Sequence, residues 1–270
     1  MKFIDILLHR WLRVPYTLHT TVHHPKGTHT VIMLHGIGNT HESWQPVISK
    51  LSEDTRVVSV DLLGFGKSAH PAWATYNAKT QARSVQAILF KLSIFSKVSI
   101  VGHSLGALVA IEFAKRYPLQ VGQLLLCSPP LYQMEEMSGF APSPDKTLRR
   151  IYKLALQNKD RFLDLAMLVK HYKLANPSLT ISTDTIDSYM ATLQAMIINQ
   201  TALHDVSKLS IPVHIIRGAF DPLVIGSHIS RLKKARSNIT SQIVPAGHEI
   251  LGVYALAVAD KVTDMVRSKL

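Results

Sequence analysis

One cysteine in 270 residues excludes any internal disulfide, and the expected compartment is the reducing cytoplasm. No run of about 18 uninterrupted apolar residues occurs, so no ordinary transmembrane helix is expected. The apolar residues near the start (Phe3, Ile4, Ile6, Leu7, Leu8) are interrupted by Asp5 and followed by His9 and Arg10. Such a run is too short for a secretory core, and no small-residue cleavage site follows it. Acidic side chains are scarce, 18 against 30 Lys and Arg, for a net charge of +12. The excess is spread along the chain, whereas a nucleic-acid binder concentrates it on one helix or patch, so no nucleic-acid partner is expected. The densest runs, Lys146–Arg150 and Arg231–Arg236, read as solvated helix faces. Attraction of an acidic substrate or partner is their sharper alternative. Internal repeats and low-complexity tracts are missing too.

What is present is a chain that is 47 % hydrophobic, with short apolar runs alternating with helical periodicity. Strands are expected at Tyr16–His23, Thr30–Leu34, Arg56–Val60, Val98–Val101, Gln123–Cys127, Val213–Arg217 and Ser241–Val244. Helices are expected at Glu42–Leu51, Thr80–Leu92, Ala107–Lys115 and Leu251–Lys269. A short amphipathic helix carrying Ile4, Leu7, Leu8, Trp11 and Leu12 is expected to pack on its own domain, in preference to a membrane surface. Alternation of this kind implies βαβ units and a mostly parallel, twisted sheet with helices on both faces. Residues 131–203 break the rhythm. Thr147–Gln157, Lys159–Tyr172 and Thr183–Asn199 all read as helices, which makes the segment a helical insertion. Residues 1–130 and 204–270 form the core around it.

Four loops at the C-terminal ends of these strands carry candidate chemistry. Gly102-His103-Ser104-Leu105-Gly106 fits G-x-S-x-G between a strand and a helix, the setting in which a sharp turn lifts a serine hydroxyl clear of the sheet. A serine needs a base to take its proton, and the base needs an acid to hold its tautomer. Asp221 and His248 follow later strands, giving the order Ser, Asp, His. His35-Gly36-Ile37-Gly38 follows the first buried strand. The backbone N–H groups of Ile37 and Leu105 are placed to stabilise an oxyanion. His35, Gly36, Gly102 and Gly106 are read as supporting that loop and turn.

Each residue has a plainer reading. A serine at a strand–helix turn is often an N-cap, and Asp before Pro222 often forms a turn. Three such coincidences in the right order outweigh those readings. His35 is expected to brace its loop, and His103 to point away from the Ser104 hydroxyl. His23, His24 and His29 cluster without cysteine or carboxylate ligands, so no metal is expected. Gly64-Phe65-Gly66-Lys67-Ser68 lacks the first glycine of a phosphate loop, since Asp61 occupies that position. Asp61 is expected to bond within its own loop, and Cys127 to be a buried apolar residue.

Together with Asp61-Leu62-Leu63-Gly64-Phe65-Gly66-Lys67-Ser68, these motifs span residues 35–249 in family order, and the chain resembles an α/β-hydrolase-fold serine hydrolase. Within that family it is similar to small carboxylesterases, pimeloyl-carrier-protein methyl ester esterases, carbon–carbon hydrolases of ring-fission products and cofactor-free haloperoxidase-like members. Epoxide hydrolases and haloalkane dehalogenases place Asp at the nucleophile position, and Ser104 separates the chain from them. The resemblance implies the α/β-hydrolase fold with residues 131–203 as a helical cap, hydrolysis of an ester or thioester, and no cofactor. The partner it implies is a small ester or acyl substrate. An acidic acyl carrier could dock on the cap residues Lys146, Arg149, Arg150 and Lys153. One alternative keeps the same triad but cleaves a vinylogous diketone, with Arg83, Arg149 or Arg217 gripping the substrate carboxylate. Another is a non-catalytic hydrolase-fold binding protein.

Overall fold

The computed structural model describes residues 2–133, 143–171 and 177–268. The expected helix end at Tyr172, the last helical residue Lys269 and parts of the 131–203 segment lie outside the described residues. The strands are β1 (Thr20–His23), β2 (His29–Leu34), β3 (Thr55–Val60), β4 (Val98–His103), β5 (Val121–Cys127), β6 (Val213–Gly218) and β7 (Ile239–Val244). The helices are α1 (Lys2–Ile6), α2 (Gln45–Ile48), α3 (Ala78–Lys91), α4 (Leu105–Arg116), α5 (Pro144–Gln157), α6 (Lys159–His171), α7 (Ile186–Thr192), α8 (Ala202–Ser207), α9 (Gly226–Ala235) and α10 (Val253–Arg267).

The strands form one sheet in the order β1-β3-β2-β4-β5-β6-β7. β1 runs antiparallel to β3, and every other pair is parallel. This is the α/β-hydrolase fold expected from the sequence. Because strand side chains alternate between faces, β2 sends Ile32 and Leu34 into one apolar layer and Val31 and Met33 into the other. The first layer packs against α3, α4 and α9 through Val85, Leu108 and Ile229. The second packs against α2 and α10 through Val47 and Val258. Each fully buried Val, Ile or Leu contributes about 1.5–3 kcal/mol. After β3 the chain crosses from one side of β2 to β4 on the other, and ligands bind in such sheets at that switch point.

Several expected elements are shorter than their sequence pattern. Strand pairing starts only at Thr20, because the Tyr16 N–H donates to Ser84 Oγ (3.2 Å) and the His19 N–H to Ser68 Oγ (2.9 Å) instead of to a ladder. The expected Glu42–Leu51 helix is a 3-10 turn over His41–Trp44 followed by α2, with Pro46 in the first turn of α2, where its missing N–H is harmless. The Thr183–Asn199 helix begins at Ile186 and passes into a π-helical stretch over Leu193–Ile198. Gly252, at φ 52°, delays the last helix to Val253.

The N-terminal helix forms, continuing α1 as a π-helical turn through Trp11, but it corrects the packing expectation. Ile4, Leu7, Trp11 and Leu12 are exposed. The segment is held instead by His9, whose ring stacks on Tyr16 at 4.0 Å and whose Nδ1 lies 2.7 Å from the Val14 carbonyl. Among the described residues no helix is long and apolar enough to cross a membrane.

The junction of β4 and α4 requires glycine twice. A Cβ on Gly106 would lie 2.1 Å from the Leu34 carbonyl oxygen, and one on Gly102 would lie 2.4 Å from the Gly106 oxygen. Backbone cannot yield as a flexible side chain can. Gly106→Ala is therefore expected to destabilise by about 3 kcal/mol, read as a melting temperature lower by roughly 10 °C.

Candidate active site

The register brings the loop-bearing strand ends to one edge. Leu34 pairs with Gly102, Gly102 with Leu126, and Gly218 with Val244. Ser104 sits between β4 and α4 at φ 49°, ψ −114° and is 6 % exposed. A non-glycine residue holds this conformation only where its surroundings impose it. Here the Ser104 N–H donates to the Cys127 carbonyl (2.9 Å), and the Ser104 carbonyl accepts from the Ala107 N–H (3.0 Å).

His248 Nδ1 lies 2.8 Å from Asp221 Oδ2, and the other Asp221 oxygen accepts the Leu223 N–H at 2.9 Å. Burial pushes the Asp221 carboxyl up, but the His248 bond and charge, the Ser128 hydroxyl and the Leu223 N–H outweigh it and hold the carboxyl below its usual value. His103 Nε2 donates to the His248 carbonyl (3.0 Å), and the two rings stand 5.0 Å apart. The residue preceding Ser104 thus carries the His248 loop beside it. Burial and the neighbouring His248 charge press His103 down to about 3, so its ring is neutral.

The His35–Gly38 loop closes the other side. A Cβ on Gly36 would lie 3.3 Å from the Ser104 Cβ. Burial lowers His35 to about 4. Its Nε2 accepts the Leu62 N–H (3.0 Å), so the proton sits on Nδ1 and is donated to the Gly36 carbonyl (2.7 Å). Among the described residues neither the Ile37 nor the Leu105 N–H donates to an acceptor, as an oxyanion-binding pair requires.

Several further groups, unmarked by any sequence motif, hold this arrangement. Asn39 Nδ2 approaches Glu249 Oε2 at 3.5 Å, tying the His35–Gly38 loop to the His248 loop. The Thr180 N–H, from the segment between β5 and β6, donates to the Gly38 carbonyl at 2.8 Å. Ser128 Oγ lies 3.0 Å from the Tyr254 hydroxyl, which donates to the Ile216 carbonyl. Ser128, at the C-terminal end of β5 before two prolines, had a positional signal. Tyr254 had none, since it acts from the last helix through Ser128.

The Asp61 loop forms a separate hub. Asp61 is fully buried and accepts the His41 N–H (2.7 Å), His41 Nδ1 (2.8 Å) and the Lys67 N–H (3.0 Å), with His19 Nδ1 at 3.1 Å. Burial raises its pKa, and the His41 and Lys67 N–H groups and the His41 ring bring it below the usual value. Its carboxylate fills the loop that Gly64–Ser68 makes, as a Cβ on Gly66 would meet Asp61 Cγ at 2.4 Å. His19, His41 and Asp61 are, among the described residues, the one group whose donor atoms lie close enough to share a metal ion, all within 4.8 Å.

The arginine candidates separate. Arg83 bonds the Arg13 carbonyl in the N-terminal segment, and Arg217 bonds the Gly218 carbonyl (3.2 Å) and covers Gly226. Arg149 keeps its Nε buried without a partner among the described residues. Cys127 is fully buried, and burial pushes its thiol up, so it stays a neutral thiol.

A pH dependence of stability follows from His35 and His103. Unfolded, both take up protons near 6.5, whereas folded they resist protonation to about 4 and about 3. Below 6.5 the unfolded state binds more protons, so stability falls as pH drops toward about 4. Chemical denaturation between pH 7.5 and 5 should show falling midpoints, with a shallower slope in His35→Gln. The low-lying Asp61 and Asp221 add stability that is lost only below about 4, outside that window.

A family model described as alpha/beta hydrolase fold matches residues 29–253. The chain is 40 % identical over 98 residues to an uncharacterised protein of Mycobacterium tuberculosis, covering 36 % of this chain and 28 % of that protein. It thus spans less than a third of that relative's length. It is 28 % identical over 204 residues to 2-hydroxy-6-oxo-6-(2'-aminophenyl)hexa-2,4-dienoic acid hydrolase of Metapseudomonas resinovorans, covering 72 % of this chain and 68 % of that one. Among solved structures it is similar to bromoperoxidase from Bacillus anthracis, with a TM-score of 0.77, 21 % identity and coverage of 93 % and 95 %.

Proposed function

The chain belongs to the α/β-hydrolase-fold family, and from that premise we propose that it is a cytoplasmic serine hydrolase cleaving a carboxylic ester or thioester through an acyl-enzyme on Ser104. The observation that supports this most is the convergence at one sheet edge of a strained Ser104, the hydrogen-bonded Asp221–His248 pair and two N–H groups that have no acceptor among the described residues. Ser104 Oγ attacks the carbonyl carbon while His248 takes the hydroxyl proton. The Ile37 and Leu105 N–H groups hold the oxyanion, each worth about 3 kcal/mol of barrier. Asp221 orients His248 and stabilises its cation. Collapse of the intermediate expels the alcohol or thiol, which receives the proton from His248. Water, deprotonated by His248, then attacks the acyl carbon and frees Ser104. No step calls for a metal or cofactor.

The helices between β5 and β6 act as the cap over this edge, anchored to it by Thr180 on Gly38. An acyl group borne on an acidic carrier would meet α5, where Lys146, Arg149, Arg150 and Lys153 lie. A second reading, carbon–carbon hydrolysis with the same residues, is favoured by the Metapseudomonas relative.

A substrate panel decides between them. Short- and medium-chain p-nitrophenyl esters should be turned over, with a vinylogous ring-fission dienoate inert. Bleaching of the dienoate with esters untouched would support the second reading. Activity on neither would remove both.

A further inference from the structure

The N-terminal segment sets an apolar surface beside a basic cavity. Phe3 is 78 % and Trp11 76 % exposed, and Ile4, Leu7, Leu12 and Val14 stand out with them. So many large apolar side chains open to water on one short segment mark a surface that meets something. Next to it a cavity of about 300 Å³ is lined by Arg10, Arg13, Lys79 and Arg83, with Thr75 and Thr80. One wall is aromatic: His9 stacks on Tyr16, and Trp73 lies 6.1 Å from Tyr16. No carboxylate lines the cavity, and none of the four cations is ion-paired among the described residues. Asp5 acts on Tyr16 from outside it. The triad residues and the His35–Gly38 loop are not part of its lining.

Two chemistries are therefore offered together, an apolar wedge and a cluster of cations backed by amphipathic rings. Guanidinium forks fit phosphate oxygens, and tryptophan and tyrosine suit the boundary between headgroups and hydrocarbon. A second copy of this chain would bring the same four cations face to face in a molecule already at +12. An anionic lipid surface neutralises them while covering the apolar residues.

We propose that this face docks the protein on an anionic phospholipid surface. Phe3, Ile4, Leu7, Trp11 and Leu12 enter the headgroup boundary, and a lipid phosphate sits among Arg10, Arg13, Lys79 and Arg83. The docking does not depend on the reaction at Ser104.

The test is co-sedimentation of the full chain with phosphatidylcholine vesicles, with and without phosphatidylglycerol, at low and high salt. Tryptophan emission provides a second readout, since Trp44 is buried and Trp11 is the most exposed indole. Binding to the anionic vesicles should be at least about tenfold stronger, weaken with salt and shift emission to the blue. Arg10→Glu with Lys79→Glu should reduce it to the phosphatidylcholine level, and Trp11→Ser should weaken it and abolish the shift. Both variants should keep the wild-type thermal unfolding. Lys233→Glu with Lys234→Glu, the same charge change on α9, should leave binding unchanged. Equal binding to both vesicle types would overturn the proposal. So would an α9 reversal as damaging as the Arg10 and Lys79 one, or a vesicle-free, concentration-dependent dimer that shields Trp11.

Discussion

Ser104→Ala is expected to lower kcat on a p-nitrophenyl ester by a factor on the order of 10⁶, leaving a small residue of catalysis from the oxyanion donors. Alanine keeps a Cβ at the same strained backbone position, so the fold and KM should change little. Ser104→Gly separates chemistry from strain. It is equally inactive, yet it relieves a φ of 49° and should gain about 1–2 kcal/mol of stability. A glycine variant no more stable than the alanine variant would show that the turn is unstrained. Retention of activity in either variant would show that another group is the nucleophile.

Asp221→Asn should cost about 10⁴ in kcat with little change in KM. The carboxylate accepts from His248 Nδ1 at 2.8 Å, fixing the tautomer that leaves the lone pair on Nε2, the one a general base for Ser104 needs. An amide of the same shape can present its NH₂ to Nδ1, leaving the proton on Nε2, where it blocks general-base action. It also loses the negative charge that stabilises the imidazolium. Asp221 is held ionised by the Ser128 hydroxyl and the Leu223 N–H as well as by His248, so the variant keeps the Leu223 contact and should fold. A drop of tenfold or less would reduce Asp221 to a structural role.

Strand positions were legible in the sequence because buried parallel strands are short apolar runs with abrupt polar ends, as at Thr30–Leu34 before His35. The candidate loops stand out for the same reason, since each begins where such a run stops. Helix ends were less legible. Glu42–Leu51 has helical spacing, but Thr40 caps a 3-10 turn and Pro46 forces a restart. Tyr16 has strand character, yet its N–H is satisfied by Ser84, 68 residues away. The exposure of Trp11 could not be read from periodicity, which finds an apolar stripe without saying what it faces. Asn39–Glu249 and Thr180–Gly38 join residues more than a hundred positions apart, and no local pattern encodes them.

Covalent labelling reports the nucleophile itself. A fluorophosphonate probe followed by peptide mass spectrometry should give one adduct per chain, on Ser104, with no labelling of folded Ser104→Ala and slower labelling of Asp221→Asn. A correctly folded wild-type protein that takes no label, or takes it on a residue other than Ser104, would mean that Ser104 is not the nucleophile.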